Sequence, residues 1–282
     1  MMLFCCYFTN TLGFPFVVFN EKFLTKSSLL FSEQNSLCAE SAYERASYLI
    51  SKGPAPTFVV PGNNDWYDCP RRDEAFSFFM KHFGPDFVFK WHAEHYENLD
   101  IQRPKDNQEL FNFYVEGIIF IGVHLIDAPI NTESKTLRDE RMKASMEWLS
   151  TSVETNFARR EIRGVVIIGH AGRSERNKLF FSHMAKYFAG ISSRQEIPVV
   201  YLHGDGLTYE IDQTLSDDLS WDYFHDIQIE QSGLADPVIF DVSSGIHAFR
   251  NGDDNDMVTT FGNGLFRLDR RQGRYDNPMN IS

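Results

Sequence analysis

Phe58-Val59-Val60-Pro61-Gly62-Asn63-Asn64-Asp65-Trp66 runs from three apolar residues through a proline and a glycine into three polar side chains. A parallel strand covered on both faces reads as a short unbroken apolar run, and α/β proteins place their ligands at the carboxyl ends of such strands. The stretch is therefore read as a buried strand ending in a site loop. The same order recurs in Gly164-Val165-Val166-Ile167-Ile168-Gly169-His170 and in Pro198-Val199-Val200-Tyr201-Leu202-His203-Gly204-Asp205. Three strand ends presenting Asn, His and Asp imply one shared edge.

Outward from these runs, helices alternate with strands. Tyr43, Ala46, Leu49 and Ile50 recur at helical spacing after Ala39, with Glu40 and Glu44 in the early turns and Lys52-Gly53-Pro54 as the stop. Asp73 to Phe83 is a second helix, ended by Gly84-Pro85. Residues 84–109 hold no steady period and read as a long loop over the site end. Phe111–Tyr114 and Gly117–Ile126 form a hairpin, Leu137–Val153 an amphipathic helix, and Arg176–Phe188 another. Pro237–Val242 and Leu265–Leu268, separated by Asn251-Gly252-Asp253-Asp254, read as antiparallel closing strands. Residues 1–38 sustain neither period, except that Phe14–Phe19 fits one strand. They are left as an unassigned segment before a single domain over 39–282, an α/β sandwich.

Composition narrows the function. A hydrophobic content of 43% over 282 residues supplies a full core, and a formal charge of −12 disfavours nucleic acid or an anionic membrane as partner. No stretch reaches the ~18 uninterrupted apolar residues that a membrane helix needs, so cytoplasmic is the default location. The four cysteines, Cys5, Cys6, Cys38 and Cys69, form no CxxC pair or regular framework, and reduced thiols are expected. G-x-S-x-G, the phosphate-cradling G-x-x-x-x-G-K-[ST] loop and G-x-G-x-x-G are all missing from the sequence, which removes the usual serine-hydrolase, nucleotide and dinucleotide signatures. An Asn amide oxygen, a His imidazole and an Asp carboxylate at strand ends are instead the mixed N/O set of a divalent metal site.

In that order, Gly62-Asn63-Asn64-Asp65, Gly169-His170 and His203-Gly204-Asp205-Gly206-Leu207 resemble the last three signature blocks of the calcineurin-like metallophosphoesterases, G-N-H-[DE], a lone His and G-H-x-H. The resemblance covers about Ala39 to Leu268. It implies a four-layer α/β/β/α sandwich and a phosphoric-ester hydrolase in which two ions (Mn, Fe or Zn) share a hydroxide. On that pattern Asn63, His170 and Asp205 would be metal ligands.

The departures bear on activity. Leu207 stands where the family has its closing histidine. Asn64 replaces the histidine that protonates the leaving group, and an amide delivers no proton at neutral pH; losing a general acid costs about 10²–10⁴ in rate. The first two blocks, D-x-H and G-D-x-x-D, belong before Ala39, yet residues 1–38 contain no Asp. This implies incomplete N-terminal strands, through a mis-started reading frame or through evolutionary loss, and a site for one ion or none. Two readings follow: a metallophosphoesterase with weak or lost activity, and a non-catalytic binding or scaffolding protein, a pseudoenzyme, on the same fold.

Plainer roles stand beside these. Asn63 and Asn64 suit a turn by local hydrogen bonding, as does Asp205 between two glycines. His203 points to the face opposite a ligand at 204–205 and is read as structural, and His124 as a satisfied core histidine. His92 and His95 are placed on the surface, Asp127 on the rim, and Arg159, Arg160 and Arg163 at a solvated helix end.

Overall fold

A computed structural model describes residues 6–9, 16–21, 38–53, 56–90, 99–127, 132–204, 208–212, 223–229, 238–243 and 258–270. The strands are β1 (Cys6–Thr9), β2 (Phe16–Glu21), β3 (Thr57–Pro61), β4 (Phe111–Val115), β5 (Ile118–Gly122), β6 (Gly164–Ile168), β7 (Val199–His203), β8 (Glu210–Asp212), β9 (Phe224–Gln228), β10 (Val238–Val242), β11 (Val258–Phe261) and β12 (Phe266–Asp269). The α-helices are α1 (Glu40–Ser51), α2 (Arg72–Phe83), α3 (Thr132–Phe157) and α4 (Lys178–Gln195). The strands form two six-stranded mixed sheets, β11-β12-β10-β1-β2-β3 and β4-β5-β6-β7-β9-β8. The protein is thus of the mixed α/β class.

The second sheet carries the site grammar. β5, β6, β7 and β9 run parallel, so their carboxyl ends lie along one edge. Alternation along them divides two cores. Phe113, Phe120, Val166, Ile168, Val200 and Leu202 face the first sheet and meet Phe58, Phe240, Phe266 and Leu268 there. Ile119, Ile121, Val165, Ile167, Val199 and Tyr201 face α3 and α4. Side chains buried on both faces are why these strands read as unbroken apolar runs. Tyr43, Ile50 and Phe79 of α1 and α2 join the inter-sheet core. Leu49, placed by its spacing on the buried side of α1, is 40% exposed.

The segment without periodicity supplies two strands. β1 and β2 pair antiparallel with each other, while β1 lies parallel to β10 and β2 parallel to β3. They fill the middle of the first sheet. The closing strands β10 and β12 pair antiparallel as expected. Within 84–109, Pro85–Lys90 is a 3₁₀ turn and Gln102 bridges Asn112, while His92 and His95 lie outside the described residues.

Cys38 and Cys69 form a disulfide, with a Cα–Cα distance of 5.9 Å. This corrects the expectation of reduced thiols: the pairing joins the residue before α1 to the loop before α2, a proximity that spacing of 31 residues does not announce. Arg163 is not solvated either. It donates to the Glu116 carbonyl at 3.2 Å and to the Ser243 carbonyl at 2.6 Å, joining the β4–β5 turn to the end of β10. Glu116 and Gly117 have φ of 49° and 88°, the two-residue hairpin geometry. A Cβ at Gly117 would stand 2.7 Å from the Arg163 stem, so the turn needs glycine on both counts.

Candidate functional site at the strand ends

His170 follows β6 and Gly204 follows β7, and the Gly204 amide meets the His170 carbonyl at 3.4 Å. Asn63 comes from the other sheet. Its side-chain NH2 donates at 2.8 Å to the carbonyl of Asp127, beyond the end of β5. Two of the three expected strand ends are therefore neighbours in one sheet, and the third reaches the same edge across the sandwich. Asp127 in turn accepts from Arg176 at 2.6 Å, which gives the rim carboxylate a partner and holds the guanidinium above its usual pKa.

The loop after β3 is a single π-helical turn, Asn63–Tyr67, closed by the Asp68 amide on the Asn63 carbonyl at 3.0 Å. Such turns gather at functional sites. Asp65 fixes it: one carboxylate oxygen accepts from the Gly62 amide at 2.9 Å, and its carbonyl accepts from the Tyr43 hydroxyl. Burial and the Asp65 charge push the Tyr43 phenol well above its normal range. Within this frame Asn63 is buried while Asn64 is half-buried. The Asn63 Oδ1 is buried and has no hydrogen-bond partner among the described residues.

Behind the edge lies a buried polar network that the sequence reading passed over. His124 Nδ1 donates to Glu109 Oε1 at 3.2 Å, and Arg141 Nη1 donates to the same oxygen at 2.5 Å. Burial pushes the Glu109 carboxyl up, but the His124 hydrogen bond and the neighbouring cationic charge outweigh it and keep the group ionised. Burial also pushes the His124 imidazole down, helped by Arg141 and by His170, so His124 is a neutral donor. Its Nε2 is buried without a hydrogen-bond partner among the described residues, so the expected satisfied core histidine is satisfied at one nitrogen only. Trp66 and Phe76 pack on its ring. No single signal marked Glu109, since its partners lie 15 and 32 residues away.

His203 faces the outer side of the sheet with Tyr201, as alternation requires, and its Nε2 stands 3.2 Å from Asp226 Oδ1. Both are buried. A Cβ on Gly172 would lie 2.5 Å from the imidazole, so glycine is what admits His203 there. Asp205 lies outside the described residues.

A metal would find Asn63 Oδ1, a hard oxygen with no hydrogen bond among the described residues, and the buried imidazole of His170 on one edge. An amide oxygen and an imidazole are both ligand types for a divalent ion. Among the described residues no three His, Cys, Asp or Glu side chains converge to hold an ion, so a two-ion centre does not fit them. No helix among them is long and apolar enough to cross a membrane. Compared with known proteins, the chain matches no protein-family model and no curated protein.

Proposed function

We propose that this chain is a phosphoric-ester hydrolase by descent, on a four-layer α/β/β/α sandwich of metallophosphoesterase type, with a depleted one-ion site and weak or lost activity. The supporting observation is Asn63: its amide is fixed across the two sheets by Asp127 while its oxygen stays buried without a hydrogen bond among the described residues. A ligand oxygen oriented through its own amide is how outer partners aim metal ligands. Asn63, His170 and Asp205 would hold the ion, which when bound polarises a phosphoryl oxygen and acidifies water. Asn64 can donate a hydrogen bond to a phosphate ester but no proton. The disulfide supports an oxidising compartment rather than the cytosol.

The second reading, a binding or scaffolding protein on this fold, is favoured by the lack of a converging third ligand among the described residues. Metal content after equilibration with Mn²⁺ or Zn²⁺ and desalting separates the two. One ion per chain, lost in His170→Ala, is expected for the hydrolase lineage. Less than one ion, unchanged in His170→Ala, rules out hydrolysis by this chain.

A further inference from the structure

We propose that the cleft between α3 and the β4 edge of the second sheet binds a saccharide unit carrying an anionic group. The cleft, of about 180 Å³, opens on the outer side of the sheet beside the carboxyl-terminal half of α3. It shares no residue with the strand-end site. Phe111 and Phe113 face the inter-sheet core, which turns Asn112 outward between them. The volume is below that of a drug-sized pocket and suits one small ring.

Its walls are built for a polyol. Among the described residues no aliphatic side chain lines it; amides and hydroxyls predominate. Asn112 Nδ2 donates to Ser152 Oγ at 2.8 Å, and Asn156 Nδ2 donates to the Ser152 carbonyl at 2.8 Å. Both amides are thereby held in one orientation, with their side-chain oxygens available as acceptors. All three residues are more than nine-tenths buried, so the constellation is rigid. Trp148, partly buried against the outer core, also lines the cleft. An aromatic ring beside fixed hydrogen-bonding groups matches the alternating C–H and O–H surface of a sugar.

The charge is locally opposite to that of the chain. Against a total of −12, the cleft sets three arginines over one carboxylate. Arg160 pairs with Asp100 at 2.9 Å and lies over the Tyr114 ring. Arg159 is exposed and has no carboxylate partner among the described residues. Arg103 donates to the Gln108 carbonyl, while Glu109, the acid nearest to it in charge, is held by Arg141 and His124. Burial pushes the Arg103 guanidinium down to about 10, which leaves it charged at neutral pH. Arg103 is also engaged by the Phe111 ring, 5.5 Å from its guanidinium, which leaves Arg159 as the guanidinium positioned for a carboxylate or sulfate, for which such a fork is the fitted donor. The plainer role of Arg159, compensation of the α3 carboxyl terminus, predicts no ligand.

Titration calorimetry on the full chain at fixed ionic strength, with glucuronic acid, glucose 6-sulfate, glucose and sodium sulfate, decides the matter. The two acidic sugars are expected to bind at least about tenfold tighter than glucose or inorganic sulfate, the step of one charge-assisted hydrogen bond. Arg159→Gln, at an exposed position, is expected to erase that margin without moving the melting temperature. The Trp148 indole N–H resonance, assigned by its loss in Trp148→Phe, is expected to shift with the acidic sugars. The proposal fails if sulfate binds as tightly as the acidic sugars, if glucose does, if none binds, or if Arg159→Gln leaves all affinities unchanged.

Discussion

The side-chain amide of Asn63 donates to the main-chain carbonyl of Asp127 at 2.8 Å, so a loop that leaves one sheet is held by a strand end of the other. The bond fixes the orientation of the Asn63 Oδ1, which is buried without a hydrogen-bond partner among the described residues. Replacing Asn63 by Ala removes the donor and is expected to cost about 1–2 kcal/mol. Asn63→Asp places a carboxylate against that carbonyl, so it is expected to lower stability without metal while strengthening Mn²⁺ retention. Thermal unfolding with and without Mn²⁺ measures both; parallel losses in the two variants would remove Asn63 from any ligand role.

Glu109 is the hub of the network behind the edge. Its carboxylate is 2% exposed and accepts from both His124 and Arg141. Breaking a buried pair from one side strands the other charge, so Glu109→Gln is expected to cost about 3 kcal/mol. Combining it with Arg141→Gln should recover a measurable part of that loss. Additive losses by urea denaturation would show that the two side chains do not couple.

His225 in β9 gives a pH dependence with a defined sign. Burial against Phe261 lowers its imidazole pKa to about 4. The unfolded chain, with a value near 6.5, binds the proton first, so stability is full above about pH 6.5 and declines as pH falls to about 4. The contribution is on the order of 3 kcal/mol. His225→Phe is expected to flatten the melting temperature between pH 7 and pH 4.5 relative to the parent, and an unaltered slope would assign the acid sensitivity elsewhere.

The Cys38–Cys69 bridge closes a loop of 31 residues. Loop-closure entropy of that size is worth roughly 3–4 kcal/mol. Cys69→Ser, or reductant, is expected to lower the melting temperature by roughly 10 °C. Mass spectrometry of the unreduced native and denatured protein should show both thiols resistant to alkylation; labelling of either would contradict the bridge.

The legible parts of this sequence are those where one strand or helix is buried by a repeating rule. Phe58–Val60, Val165–Ile168 and Val199–Leu202 are apolar on both faces, and the paired β10 and β12 carry alternation that survives reading. β9 was missed because His225, Asp226 and Gln228 break its apolar run: Asp226 belongs to the outer His203 pair and His225 to the Phe261 contact. β2 overlaps the strand expected over Phe14–Phe19, whereas β1 left no period to read, since its ladder is completed by β10, far along the chain. Leu49 shows the limit of helical spacing, which sets a face but not its width. The strand ends that carry Asn63 and His170 are legible from strand grammar. Glu109 and the disulfide depend on contacts between distant segments and left no local mark.

Arg163 and Asn63 fasten the two sheets at opposite edges, one through Ser243 beyond β10 and the other through Asp127 beyond β5. Plates joined along one margin open like a book, whereas these two, pinned at both margins over a shared core, resist opening from either side.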